Sequence, residues 1–116
     1  MPDALPEGFG WVWVDDTVRI NLPHFVKTAT HVYEPILSRR DAERVAAALE
    51  AHDKARRATG RAKPLTRILL AHDPRYSAQT KAEFVAKLSI ALIERGHAVR
   101  IDEMVTMSGM EADELS

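Results

Sequence analysis

The clearest pattern of apolar and polar positions lies between Gly10 and Leu22. An apolar run from Trp11 to Val14 is followed by two aspartates, and apolar and polar residues then alternate from Thr17. A two-residue turn at Asp15-Asp16 predicts a β-hairpin that buries one face of both strands. The residues on that face are Trp11, Trp13, Val18, Ile20 and Leu22. A longer loop with a shifted register is the alternative, because a type I′ turn favours Asp-Gly over Asp-Asp.

The segment after the hairpin predicts an edge strand and then a helix. Residues 30–37 look extended, and Pro35, which has no N–H, restricts such a strand to the edge of a sheet. Ser38 and Asp41 have the spacing of a capping box, which predicts a helix from Arg39 to about Ala58. A narrow, small-residue stripe on this helix is predicted to be buried: Ala42, Val45, Ala46 and Leu49.

The second half of the chain predicts a strand–helix–strand crossover. Residues 66–71 form a short, nearly continuous apolar run within the segment 65–72, Ser77 can cap a helix, and Gly96 stands where that helix would end. Residues 97–101 then predict a parallel strand. The alternative makes 65–72 a helix in a helical hairpin or winged helix. The predicted fold class is therefore α+β: a hairpin, an edge strand, a helix and a βαβ unit, with two helices packed on one mixed sheet.

Length and composition narrow the functional classes. The chain has 116 residues, of which 46% are hydrophobic and 28% charged, so we expect one small domain over residues 1–116 with flexible ends at 1–9 and 104–116. The absence of cysteine excludes disulfides, thiol catalysis and cysteine-bound zinc. No apolar run is long enough to span a bilayer and no signal peptide is visible, so we expect no membrane association and a cytoplasmic location.

The net charge of −1 is the sum of acidic ends and a basic middle. Residues 39–67 contain nine basic and four acidic residues, whereas residues 102–116 contain five acidic residues and no basic one. Such a segment can contact the phosphates of a nucleic acid, although a solvated helix end explains the same charges. The candidate nucleic-acid contacts are Lys54, Arg56, Arg57, Arg61, Lys63 and Arg67.

The loop after the predicted strand 65–72 is a candidate phosphate or nucleotide site. Ligands of open α/β sheets bind beyond the carboxyl ends of parallel strands, beside a helix N-terminus. The candidate ligand-binding residues there are His72, Arg75, Ser77 and Thr80. The loop contains no glycine, so it lacks both common glycine-rich phosphate-binding patterns, and a plain surface turn is the alternative.

No recognisable catalytic or metal-binding motif occurs. The five histidines include no H-E-x-x-H pair, and G-x-S-x-G is absent, so we expect no catalytic residue, cofactor or metal. We expect a non-catalytic binding or regulatory module that acts through protein–protein assembly, including self-association. The expectation rests on the edge near Pro35, on the opposed charges, and on three methionines at Met104, Met107 and Met110, for which a loosely ordered tail is the alternative. Nucleic-acid binding and phosphate-ligand binding are the alternative functions.

Overall fold

The computed structural model describes residues 4–105, which form a four-stranded mixed sheet, a two-stranded ribbon and two helices. The elements in chain order are β1 (Gly10–Val14), β2 (Thr17–Asn21), β3 (Val26–Lys27), β4 (Val32–Tyr33), α1 (Arg39–Arg57), β5 (Arg67–His72), α2 (Ala78–Glu94) and β6 (Arg100–Val105). The sheet has the order β1-β2-β5-β6, and β3 pairs with β4. The predicted α+β class and arrangement are confirmed.

The β1–β2 hairpin has the predicted register. Trp13 faces Val18 and Trp11 faces Ile20 across the two strands. Only Asp15 of the two turn residues takes a positive φ, +56°, so the turn is not type I′. The N–H and hydroxyl of Thr66 donate to the carbonyl and carboxylate of Asp16 at 2.8 and 2.7 Å. These long-range hydrogen bonds stabilise a turn whose local sequence is unfavourable.

Both helices connect parallel strands. β2 runs parallel to β5, and β5 runs parallel to β6, so α1 and α2 are each part of a βαβ crossover. The predicted strand at 65–72 is confirmed as β5, and the helical alternative for this segment is wrong. β6 begins at Arg100 and continues to Val105, which places it later than the predicted 97–101.

Local capping signals determine where the helices begin. The Ser38 hydroxyl accepts from the Asp41 N–H at 3.1 Å, and the Asp41 carboxylate accepts from the Ser38 N–H at 3.1 Å. This is the predicted capping box of α1. Ser77 caps α2 with its hydroxyl alone, which accepts from the Thr80 N–H at 3.1 Å. After α2, Gly96 takes a φ of +84°, a conformation that glycine adopts without steric cost.

The hydrophobic core lies between one face of the sheet and the two helices. β2 and β5 contribute Val18, Ile20, Ile68 and Leu70, α1 contributes the predicted stripe, and α2 contributes Phe84, Leu88, Ala91 and Leu92. Burial of each large apolar side chain stabilises the fold by about 1.5–3 kcal/mol. Trp11 and Trp13 extend this layer across β1, where the Trp13 ring stacks on His52 at 4.8 Å between centroids. The opposite face of the sheet carries no helix within residues 4–105.

The remaining segments lie around this two-layer body. The extended stretch near Pro35 contributes only Val32–Tyr33, which pairs with Val26–Lys27 in a ribbon outside the main sheet. Phe9 packs on Phe84 with ring centroids 5.7 Å apart. Met107 and Met110 lie outside the described residues. No helix in residues 4–105 is long and apolar enough to cross a membrane.

Candidate functional site

The loop after β5 brings Arg75, Ser77 and Thr80 to the start of α2, as the sequence predicts. Arg75 forms a bidentate ion pair with Asp73, with Nε–Oδ1 and Nη2–Oδ2 distances of 3.0 and 2.6 Å. The hydrogen bonds with Asp73 raise the pKa of Arg75. The guanidinium also lies 4.7 Å above the centre of the Phe25 ring. The cation predicted to bind phosphate is therefore already neutralised within the chain.

The N-terminus of α2 also carries an internal anion. The Ser77 N–H donates to Oε1 of Glu34 at 3.0 Å, and the Ser77 hydroxyl donates to the Thr80 hydroxyl at 2.8 Å. Glu34 thus occupies a position where a phosphate oxygen would accept a hydrogen bond. This contact joins residues 43 positions apart in the chain, and no local pattern indicates it.

His72 belongs to the buried layer. Its side chain points to the helix-covered face of the sheet and is 2% exposed. Its Nδ1 lies 3.2 Å from the Asp73 carbonyl oxygen, and its Nε2 lies 4.0 Å from Oε1 of Glu103. The Tyr76 ring stands edge-on to it at 6.4 Å, and the Tyr76 hydroxyl donates to the Pro23 carbonyl at 2.5 Å. These contacts join the ends of β2 and β5.

Four of the six cations predicted to contact nucleic acid form ion pairs with carboxylates. Arg56 and Arg57 lie 2.9 and 3.3 Å from the carboxylate of Asp53, which is 6% exposed and also accepts the Leu65 N–H at 3.1 Å. Arg56 also lies 4.4 Å above the Trp13 ring and donates to the Asp15 carbonyl. Asp53 is not among the residues predicted for the site, although its i+3 and i+4 spacing to the two arginines indicates such ion pairs.

The other two candidate cations form ion pairs with residues of the β1–β2 turn and of β6. Lys63 lies 3.4 Å from Asp15, and Arg67 lies 2.8 Å from Asp102. Lys54 and Arg61 form no ion pair with the described residues 4–105. The segment 54–67 therefore presents less uncompensated charge than its composition indicates.

No group of three or more His, Asp or Glu side chains within residues 4–105 has an arrangement that could hold a metal ion. His97 instead donates from Nε2 to Glu50 at 2.6 Å, and Arg95 donates to the same carboxylate at 2.8 Å. The bonds from His97 and Arg95 lower the pKa of Glu50. This cluster links α1 to the segment between α2 and β6.

The face of the sheet opposite the helices, hereafter the open face, is apolar at several positions, and no other element of residues 4–105 packs on it. Val12, Val14 and Met104 are 49%, 66% and 39% exposed, and Leu69 is half-buried at the centre. The strand register places Val12, Arg19, Leu69 and Asp102 in one row across the sheet. A shallow depression of about 580 Å³ on this face is lined by the β1–β2 turn and by Val12, Val14, Arg19, Leu69 and Met104.

Charged groups surround this apolar centre. Arg67 and Arg100 lie 2.8 and 3.0 Å from the single carboxylate of Asp102, and they lower its pKa, Arg67 most through its hydrogen bond. Arg19 forms no ion pair with the described residues. The Thr66 hydroxyl lowers the pKa of Asp16, the acid next to Asp15 in the turn. The open face therefore has the acidic turn on the β1–β2 side, Arg19 near its centre, and two arginines that share one carboxylate on the β5–β6 side.

No protein family matches the chain, and neither a curated protein nor a solved structure is significantly similar to it. The chemistry of its own surfaces is therefore the basis for a functional proposal.

Proposed function

We propose that this protein is a non-catalytic assembly module that binds another protein chain through the open face of its sheet. The single observation that carries the proposal is the exposure of Val12, Val14 and Met104 on a face that no helix covers within residues 4–105. Scattered exposed apolar residues are common on proteins, but apolar side chains that line one depression together with charged ones are typical of an interaction site.

The shape of the surface supports a protein partner over a small ligand. Small-molecule sites are concave and enclose most of their ligand, whereas the open face is a wide, shallow surface built on three strand rows. Sheets commonly bury such a face by packing against a second layer about 10 Å away. A protein surface supplies such a layer.

The internal pairing of the other candidate residues supports the same choice. In the loop 72–77, Arg75 contacts Asp73 and the Ser77 N–H contacts Glu34. In the segment 54–67, most of the candidate cations form ion pairs with carboxylates. Both groups of residues therefore have a role in stabilising the fold.

The test compares the size of the protein in an extract of its source cells after a charge is placed on either of two surfaces. Val14→Glu puts a carboxylate on the open face, and Ile93→Glu puts one on the solvent side of α2, where the side chain has the same 66% exposure. We expect wild type and Ile93→Glu to elute as an assembly larger than the 13.0 kDa chain, and Val14→Glu to elute as a monomer. Met104→Glu, on the opposite edge of the open face, repeats the test in case Val14→Glu does not fold. A monomeric wild type, or an assembly that survives both open-face substitutions, contradicts the proposal.

A further inference from the structure

The centre of the open face and its β5–β6 side carry more positive than negative charge. Arg19 lies in the central row and forms no ion pair with the described residues. Arg67 and Arg100 stand two residues before Leu69 and Asp102 on β5 and β6, so their side chains share the open face. Both arginines pair with the single carboxylate of Asp102, at 2.8 and 3.0 Å. Three cations and one acid therefore leave an excess of positive charge on this part of the face.

The acids of the face lie at the corner farthest from the end of β6. Asp15 and Asp16 belong to the β1–β2 turn, and the ammonium of Lys63 lies 3.4 Å from Asp15. Met104 stands on the opposite edge of the sheet and at its opposite end, because β1 and β6 are the outer strands and Met104 shares a row with Gly10. A chain that continues from β6 across the face therefore reaches Arg19 before it reaches the acidic turn.

The sequence that follows β6 has the complementary composition. Eleven residues come after Val105, and they include three acids and no basic residue. The acids are Glu111, Asp113 and Glu114, and the large apolar residues are Met107, Met110 and Leu115. The pair Ser108-Gly109 is typical of a turn, which a chain that leaves β6 needs in order to return over the sheet.

We propose that the segment 106–116 of the same chain folds back over the open face and competes there with the protein partner. Its three acids offset the cations of the face, and its apolar residues cover the exposed Val12 and the half-buried Leu69. The inference rests on the proposed function, since it names what a partner must displace before it binds this face.

The segment is long enough for this course. Glu111 comes six residues after Val105, which is a reach of up to about 20 Å at about 3.3 Å per residue. Arg19 lies two strands across and two residues back from Met104, a distance of about 12 Å in the plane of the sheet. Arg67 lies one strand and two residues from Arg19, about 8 Å away, which the two or three residues after Glu111 span.

Paramagnetic relaxation measured by NMR on the full-length chain tests the inference. The chain has no cysteine, so Ala112→Cys supplies a single attachment position for a nitroxide spin label. We expect the amide resonances of Arg19 and Leu69 to lose most of their intensity, and that of Ile93, on the solvent side of α2, to keep it. The spin-labelled chain is enriched in ¹⁵N and diluted into an excess of unlabelled chain, so that only contacts within one chain are observed.

Charge variants of the spin-labelled chain test which groups make the contact. The triple variant Glu111→Gln, Asp113→Asn and Glu114→Gln removes the acids of the segment, and Arg19→Gln removes the central cation of the face. We expect each to reduce the broadening at Leu69 by about two- to fivefold, the range that one or two exposed ion pairs supply. Arg40→Gln, at the exposed start of α1 on the helical layer, is the matched control and leaves the broadening unchanged.

The outcomes separate the inference from the proposed function. Broadening that is confined to the open face, and that both neutral variants reduce but the control does not, supports the contact. Broadening that is absent, that is equal on α2, or that all three variants leave unchanged overturns it, while an assembly in cell extract that Val14→Glu disrupts keeps the open face as an interface. More assembly in the triple variant than in the wild type supports the competition, and an unchanged amount overturns it. A monomeric wild type in the extract overturns the proposed function and the competition, whatever the label shows.

Discussion

Replacement of Asp53 by alanine tests whether a buried carboxylate joins the end of α1 to the start of β5. Asp53 is 6% exposed, accepts from Arg56 and the Leu65 N–H at 2.9 and 3.1 Å, and lies 3.3 Å from Nε of Arg57. Loss of one partner from a fully buried ion pair costs about 3–5 kcal/mol. The cost is smaller here, because the Arg57 side chain is 46% exposed and can be hydrated after the substitution. Removal of a negative charge near a helix C-terminus also stabilises the helix by about 0.3–1 kcal/mol, because the helix dipole disfavours an anion there.

The expected net loss is about 2 kcal/mol in the free energy of unfolding, measured by urea denaturation followed by circular dichroism, with an unchanged denaturant slope. Glu43→Ala is the control, since it removes a carboxylate of the same helix whose side chain is 54% exposed in its pair with Arg39. That change should cost less than about 0.5 kcal/mol. If the two substitutions have equal effects, the reasoning about the Asp53 cluster is refuted.

Three further predictions follow from named contacts. Burial raises the pKa of Tyr76, whose hydroxyl donates to the Pro23 carbonyl. The difference in phenolate absorbance between the wild type and Tyr76→Phe should therefore appear only at a pH above the ordinary tyrosine pKa near 10. The stability that Tyr76 contributes should be lost as the pH rises past 10, because the unfolded chain loses the phenolic proton first. The hydrogen bonds from His97 and Arg95 lower the pKa of Glu50 below its usual 4.5. The Glu50 carboxylate therefore stabilises the fold above pH 4.5 and loses this effect as the pH falls. Glu50→Gln should reduce the difference between the urea midpoints at neutral and acidic pH, and an unchanged difference would rule out this contribution. Lys54 and Arg61 are the two cations of the basic segment that form no ion pair within residues 4–105. The logarithm of the binding constant for duplex DNA should therefore fall with the logarithm of the salt concentration with a slope no steeper than about −2, because each phosphate contact contributes about 0.9. A slope near about −5 would mean that the four paired cations also bind.

Much of the fold could be predicted because its signals are local. The hairpin register follows from the alternation around Asp15-Asp16, and the start of α1 follows from the spacing of Ser38 and Asp41. The parallel pairing of β2 with β5 was not predicted, since it joins strands separated by a helix of 19 residues and no local pattern specifies the partner. Long-range pairing of this kind is determined by the packing of both helices on the same face.

The candidate sites were less predictable for the same physical reason. Arg75 and Ser77 were correctly placed at a helix start, but the acid that accepts the Ser77 N–H, Glu34, comes from the segment before α1. Arg67 was assigned to a basic segment, whereas its partner Asp102 comes from an acidic one 35 residues later. The opposed charges of the middle and the end of the chain are thus partly satisfied inside the fold. The open face could not be identified before the strand order was known, because its residues come from four different strands.

The most direct test of the proposed interface is photo-crosslinking in living source cells. A photoreactive phenylalanine replaces either Val14 on the open face or Ile93 on α2, two positions of equal exposure. The open-face interface predicts a discrete crosslinked protein, either a second copy or another chain, from position 14 and none from position 93. Equal labelling at both positions, or no adduct from position 14, would contradict it.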